Sequence, residues 1–168
     1  MAWITVLLLA SVVLWGLIRM RRRVFRETLR RAVTRGTTGM LMIDLNGFEP
    51  ADEFARLLRR EVGAPGLTAR LDDGRFAVVL PGIGSPEPAY EVAGRLAASV
   101  APVIVAGRLV PMTVSIGVSA SGPGELSPGE LIRRASVAMD KAREFAPQTR
   151  WAAWRESYEK GAGVALAA

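Results

Sequence analysis

Apolar and polar positions along the chain predict a set of alternating strands and helices. Residues 40–43 form a continuous apolar run, which is typical of a buried strand. Apolar side chains spaced three and four positions apart predict helices over residues 52–62 and after Ser85, where a serine N-cap precedes a proline. The same spacing predicts a third helix over residues 131–142, opened by a Ser127–Glu130 capping box.

Turn residues divide the remaining apolar runs into two predicted hairpins. One covers residues 67–80 and turns at Asp73-Gly74, a favoured two-residue hairpin turn. The other pairs residues 103–105 with a single long strand over residues 109–118. Residues 148–154 fit either a last edge strand or the start of a tail. This order predicts an α+β fold with an antiparallel-rich central sheet flanked by helices, related to the ferredoxin-like arrangement.

The first 18 residues stand apart because they carry no charged side chain. A helix of that length spans about 27 Å, close to the hydrocarbon thickness of a bilayer. Trp3 and Trp15 lie near its two ends, where indole rings favour the membrane interface. We therefore expect one transmembrane helix over residues 1–20. A cleaved signal peptide is the alternative, although no basic residue precedes the apolar run.

Charge predicts the orientation of this segment. Residues 19–35 contain eight arginines and one glutamate, and the positive-inside rule places such a flank in the cytoplasm. We expect the N-terminus outside the cytoplasmic membrane, a basic stalk helix over residues 21–38 and a cytoplasmic domain. The arginines expected to contact anionic lipid headgroups are Arg19, Arg21, Arg22, Arg23 and Arg26.

The net charge of +6 does not indicate nucleic-acid binding, because it is concentrated in that flank. Residues 36–168 carry 14 basic and 15 acidic side chains and are nearly neutral. The chain has no cysteine and no histidine, which excludes disulfides, thiolate or imidazole metal ligands and a histidine general base.

Four segments, in order, resemble the GGDEF domain of diguanylate cyclases over residues 39–151. They are the LMIDLNGF segment at residues 41–48, ARLDDGRFAVVLP at 69–81, MTVSIGV at 112–118 and LIRRASVAMDKA at 131–142. The resemblance implies the nucleotide-cyclase type of α+β fold, with a domain over residues 39–154 and a tail over 155–168. The five signature positions read Asp72, Asp73, Gly74, Arg75 and Phe76.

The resemblance also implies that the cyclase chemistry is lost. The family places acidic metal-binding and catalytic side chains where this chain has Gly74 and Arg75, and carboxylates there hold divalent cations against triphosphate oxygens. Asp44 matches a metal-binding aspartate, or else it caps the following turn. The family's guanine-recognition segment is missing between Phe48 and the hairpin. Arg143 lies where a phosphate-binding lysine is usual and is interpreted as a surface charge.

The sequence therefore predicts a membrane-anchored, inactive GGDEF-like domain that serves as a regulatory or protein-interaction module, with no cofactor. Its expected partners are the membrane and either a protein or a second copy, but not nucleic acid. The alternatives are a divergent cyclase, a non-catalytic nucleotide-binding sensor and a structural membrane subunit. We also expect Arg75 to pair with Asp44, because the matching family positions share one metal.

Overall fold

The computed structural model describes residues 23–46, 51–72, 74–110, 112–146 and 150–162. The helices are α1 (residues 23–35), α2 (Ala51–Val62), α3 (Glu87–Ser99), α4 (Pro128–Glu144) and α5 (Ser157–Ala162). The strands are β1 (Thr38–Asn46), β2 (Leu67–Asp72), β3 (Arg75–Pro81), β4 (Val103–Val105), β5 (Arg108–Val110), β6 (Thr113–Ser121) and β7 (Trp151–Ala153).

Five strands form the central sheet in the order β2-β3-β1-β6-β7. The first three pairs are antiparallel, whereas β7 runs parallel to β6 because the chain returns through α4 between them. The predicted α+β fold is confirmed, and the sheet is mixed rather than wholly antiparallel. The predicted last edge strand is present as β7.

Strand alternation gives the sheet two apolar faces, each covered by helices. Leu41, Ile43 and Leu45 of β1 lie in one core together with α2 and α3. Met40 and Met42 point the opposite way and lie in a second core, which α1 and α4 cover. The sheet therefore separates an α2–α3 layer from an α1–α4 layer.

Several predicted boundaries differ from the structure. The strand expected over residues 109–118 is two strands: β5 pairs with β4 in a separate two-stranded sheet, and β6 joins the central sheet. Pro111 follows β5 in the sequence, and a proline cannot donate a ladder hydrogen bond. Helix α3 begins after Pro86 rather than Ser85, and Asp52 lies within the first turn of α2.

The predicted transmembrane segment, residues 1–20, lies outside the described residues. Within the ranges described above, no helix is long and apolar enough to cross a bilayer. The predicted stalk overlaps α1, which packs on the domain instead of projecting from it. Its buried side chains are Phe25, Leu29, Ala32 and Val33.

Candidate functional site

Asp44 lies near the end of β1, in a row of polar side chains that crosses three strands. It is paired in register with Arg75 of β3 on one side and with Ser115 of β6 on the other. Since side chains alternate along a strand, Asp44 shares the face of Met42 and Met40, which is the face that α4 covers.

Arg143, in the last turn of α4, supplies a counter-ion for Asp44. Its Nη1 donates to Asp44 Oδ2 at 3.2 Å, and its Nη2 donates to Asp140 Oδ1 at 2.7 Å. The Asp44 side chain is only 14% exposed, whereas that of Arg143 is 53% exposed. Arg143 is therefore more than the surface charge expected from the sequence, because it joins the end of α4 to the end of β1.

The signature turn is tightly connected to β1. The Gly74 carbonyl accepts a hydrogen bond from Leu45 N at 2.8 Å, and Gly74 has a φ of +86°. A Cβ atom at this position would lie 2.8 Å from the Leu45 carbonyl oxygen. Both the left-handed backbone and the close approach favour glycine here. A side chain at position 74 is therefore incompatible with this turn geometry.

The last signature residue, Phe76, is an apolar anchor of the hairpin. Its ring is 1% exposed and meets the ring of Phe54 on α2 edge to face, with centroids 5.1 Å apart. The predicted hairpin is confirmed, with a register shift between Arg70 and Asp72 that marks a β-bulge. The fold of the signature hairpin is thus present, with Gly74 in its turn and Arg75 at the start of β3.

Ser115 is a residue of this row that the sequence reasoning missed. Its hydroxyl is buried and has no hydrogen-bond partner among the described residues. The signal was present in β6, where small or polar residues occupy every second position and mark one face of a strand. Those residues are Thr113, Ser115, Gly117, Ser119 and Ser121.

Among the other predicted site residues, Asp72 ends β2 and is paired in register with Arg75. Arg23 and Arg26 are exposed on α1, whereas Arg19, Arg21, Arg22 and Asp73 lie outside the described residues. The cross-strand register makes Asp44 and Arg75 neighbours, and an ion pair between them stays a prediction.

The row around Asp44 does not fit a divalent cation well. The row offers one carboxylate, Asp44, and one neutral hydroxyl, Ser115, beside the guanidinium-bearing Arg75. The adjacent Arg143 bonds both Asp44 and Asp140, whereas cations of this kind prefer several oxygen ligands. No group of three or more carboxylates that could hold a metal occurs within the described part of the chain. The local charge is instead provided by arginine.

Comparison with known proteins identifies the family. The sequence profile described as "Diguanylate cyclase, GGDEF domain" matches residues 51–146, more than half of the chain. The chain therefore belongs to the GGDEF domain family.

Solved GGDEF domains share the fold. The GGDEF domain of PA1120 (TpbB or YfiN) from Pseudomonas aeruginosa has a TM-score of 0.68 at 23% identity, over 84% of this chain and 94% of that one. The active GGEEF domain of a diguanylate cyclase from Vibrio cholerae gives 0.67 at 19% identity, over 80% and 96%. At these identities the likeness concerns the fold alone.

A curated relative is an uncharacterized protein of Mycobacterium tuberculosis (strain ATCC 25618 / H37Rv), 31% identical over 100 residues. That match covers 56% of this chain and only 16% of the relative. The chain thus resembles one segment of a much longer protein.

Proposed function

We propose that this protein is a membrane-anchored GGDEF domain that does not synthesise cyclic di-GMP and acts as a regulatory or protein-interaction module. The observation that carries the proposal is the position of Arg75. Asp44, which matches the family's metal-binding aspartate, has Arg75 as its cross-strand neighbour at the signature, where the family pattern has an acidic side chain.

The charges in the row argue against cyclase chemistry. A cyclase must bring triphosphate oxygens to a cation held by carboxylates. Here Arg75 is the strand neighbour of Asp44 at a position where the family has a carboxylate, and a guanidinium group repels a divalent cation instead of ligating it. The family resemblance also implies that the guanine-recognition segment is missing, which would remove a second requirement independently of the first.

The turn geometry explains why a simple reversion would not restore the family pattern. Gly74 has a left-handed backbone and lies against the Leu45 carbonyl, so an aspartate at position 74 would be strained on both counts. Arg75 is exposed at the start of β3 and tolerates substitution better. Arg75→Glu is therefore the informative way to return one carboxylate to the signature.

We expect no cyclic di-GMP from the purified full-length chain incubated with GTP and either Mg²⁺ or Mn²⁺, measured against a protein-free blank. The Arg75→Glu variant should stay inactive too, because guanine recognition is still missing. The active GGEEF domain from Vibrio cholerae serves as the positive control. Clear turnover by the unmodified chain would overturn the proposal and favour a divergent cyclase.

A further inference from the structure

The solvent-facing side of α1 carries a concentrated positive charge. Its described arginines are all exposed, and they are Arg23, Arg26, Arg30, Arg31 and Arg35. The single carboxylate of the helix, Glu27, accepts hydrogen bonds from both Arg30 and Arg31, which lower its pKa. No carboxylate of the described residues lies within ion-pair distance of the other three arginines.

The opposite side of α1 fixes the helix to the domain. Its four buried side chains pack against Met40 and Met42 of β1, Ala77 and Val79 of β3 and the apolar face of α4. The C-terminal end of α1 is also hydrogen-bonded to the domain, because Gly124 N donates to the Val33 carbonyl oxygen at 2.8 Å. Any surface that binds the exposed side of α1 therefore holds the whole domain.

The sequence limits how far α1 can lie from the proposed membrane anchor. Phe25, the first buried residue of α1, follows Ile18 by seven positions. Even a fully extended chain of that length reaches only about 25 Å. The helix itself is about 20 Å long. If residues 1–18 span the bilayer, these lengths keep the start of α1 within about 25 Å of its surface and allow the exposed face of the helix to lie along that surface.

We propose that the exposed face of α1 is a docking surface for anionic phospholipid headgroups, which holds the domain against the membrane in one orientation. This inference rests on the proposed membrane anchor. It extends the expected headgroup contacts from the residues next to the apolar segment to Arg35, at the far end of the helix. Arginine suits this role because its planar guanidinium forms paired hydrogen bonds to phosphate oxygens.

The chain offers a matched control for charge. Arg56, Arg59 and Arg60 are exposed on α2, which covers the opposite face of the sheet. Replacing these three with glutamine changes the net charge by the same amount as replacing Arg23, Arg26 and Arg35. A difference between the two triple variants therefore reports position rather than total charge.

The test uses the full chain in lipid nanodiscs. Because the chain has no cysteine, Thr34→Cys on α1 and Ala98→Cys on α3 give unique sites for a fluorophore, and both residues are exposed. Headgroup-attached quencher lipids are included in discs of phosphatidylcholine alone or mixed with phosphatidylglycerol. We expect stronger quenching at residue 34 than at residue 98 in the anionic discs, and a smaller difference at high salt.

In the α1 triple variant, quenching at residue 34 should no longer exceed quenching at residue 98 and should equal the quenching seen in phosphatidylcholine discs. The α2 triple variant should keep the stronger quenching at residue 34. Unchanged thermal unfolding of both variants controls for loss of structure. Equal quenching at the two sites, or equal loss in both triple variants, would overturn the docking surface while leaving the anchor intact. A chain that does not enter the discs would overturn the anchor and the docking surface together.

Duplex DNA provides the remaining comparison. Labelled DNA is added to phosphatidylcholine discs that contain the full chain. If the unmodified chain bound the DNA and the α1 triple variant did not, the surface would be assigned to nucleic acid. That result would overturn the lipid assignment.

Discussion

Asp44 and Arg143 join two elements that lie far apart in the sequence. Arg143 is half exposed and holds a second carboxylate, Asp140, so its charge remains compensated when Asp44 is removed. Asp44 is mostly buried, and it loses its Arg143 partner when that residue is replaced. The two single substitutions should therefore differ in their cost.

We expect Arg143→Gln to lower the free energy of unfolding more than Asp44→Asn does. A half-exposed pair of this kind contributes roughly 0.2–1 kcal/mol, so the coupling energy in a double-mutant cycle should fall in that range. Urea denaturation of the four proteins measures it. Strictly additive losses would contradict an energetically significant pair.

A second cycle, with Arg75→Gln and Asp44→Asn, tests the ion pair predicted from the signature. Cross-strand neighbours of opposite charge are expected to stabilise each other, because their side chains project from the same face. A coupling energy between Asp44 and Arg75 that is comparable to the one between Asp44 and Arg143 would mean that Asp44 interacts with both arginines. No coupling would leave Arg143 as its energetic partner.

Helix α4 is the element that connects this site to the rest of the domain. Its N-terminus is capped by Ser127 Oγ, which accepts from Glu130 N at 3.1 Å. Its middle lies directly on β6, since a Cβ atom at Gly117 would be 1.9 Å from the Ala135 carbonyl oxygen. The helix can approach the sheet this closely because position 117 has no side chain.

Glu130 makes the start of α4 sensitive to acid. Hydrogen bonds from Arg133, and then from Arg134, lower the pKa of Glu130 from about 4.5 to about 2. A carboxylate whose pKa is lowered by folding stabilises the folded state above its unfolded pKa, and loses that contribution as pH falls through its folded value. The contribution of Glu130 should therefore be complete near neutral pH and disappear between about pH 4.5 and pH 2.

We expect Glu130→Gln to be less stable than the unmodified chain at neutral pH, with the difference shrinking as pH falls through that window. Denaturant unfolding across pH measures it, and Glu53→Gln on α2 controls for the loss of one negative charge. A difference that stayed constant with pH would show that Glu130 acts through its shape rather than its charge.

The whole molecule is expected to have one topology relative to the membrane. By the positive-inside rule, the uncharged first 18 residues and the eight arginines that follow them predict that the domain lies in the cytoplasm. We expect a green fluorescent protein fused after Ala168 to fluoresce and an alkaline phosphatase fused there to be inactive. Phosphatase activity would reverse the orientation, and recovery of a shortened chain would indicate a cleaved signal peptide.

Local patterns were enough to predict most elements of the domain. The spacing of apolar residues in α2 and α4, the turn chemistry at Gly74 and the cap at Ser127 act over a few residues, so they can be read directly from the sequence. The prediction that Gly74 and Arg75 replace signature acids likewise rests on residue identity alone. The split of one predicted strand into β5 and β6 was missed because apolar residues continue on both sides of Pro111.

Contacts between distant segments required the tertiary structure. Asp44 meets Arg143 across 99 positions, and Arg150 donates to the carbonyls of Ala97 and Val100 at the end of α3 across about 50. The parallel pairing of β7 and the burial of one face of α1 are of the same kind. No local pattern specifies such pairs, because they depend on how the whole chain brings its helices onto the sheet. The sequence by itself therefore determined most of the elements and the residues at the signature positions, whereas the structure decided that Arg143 bonds Asp44.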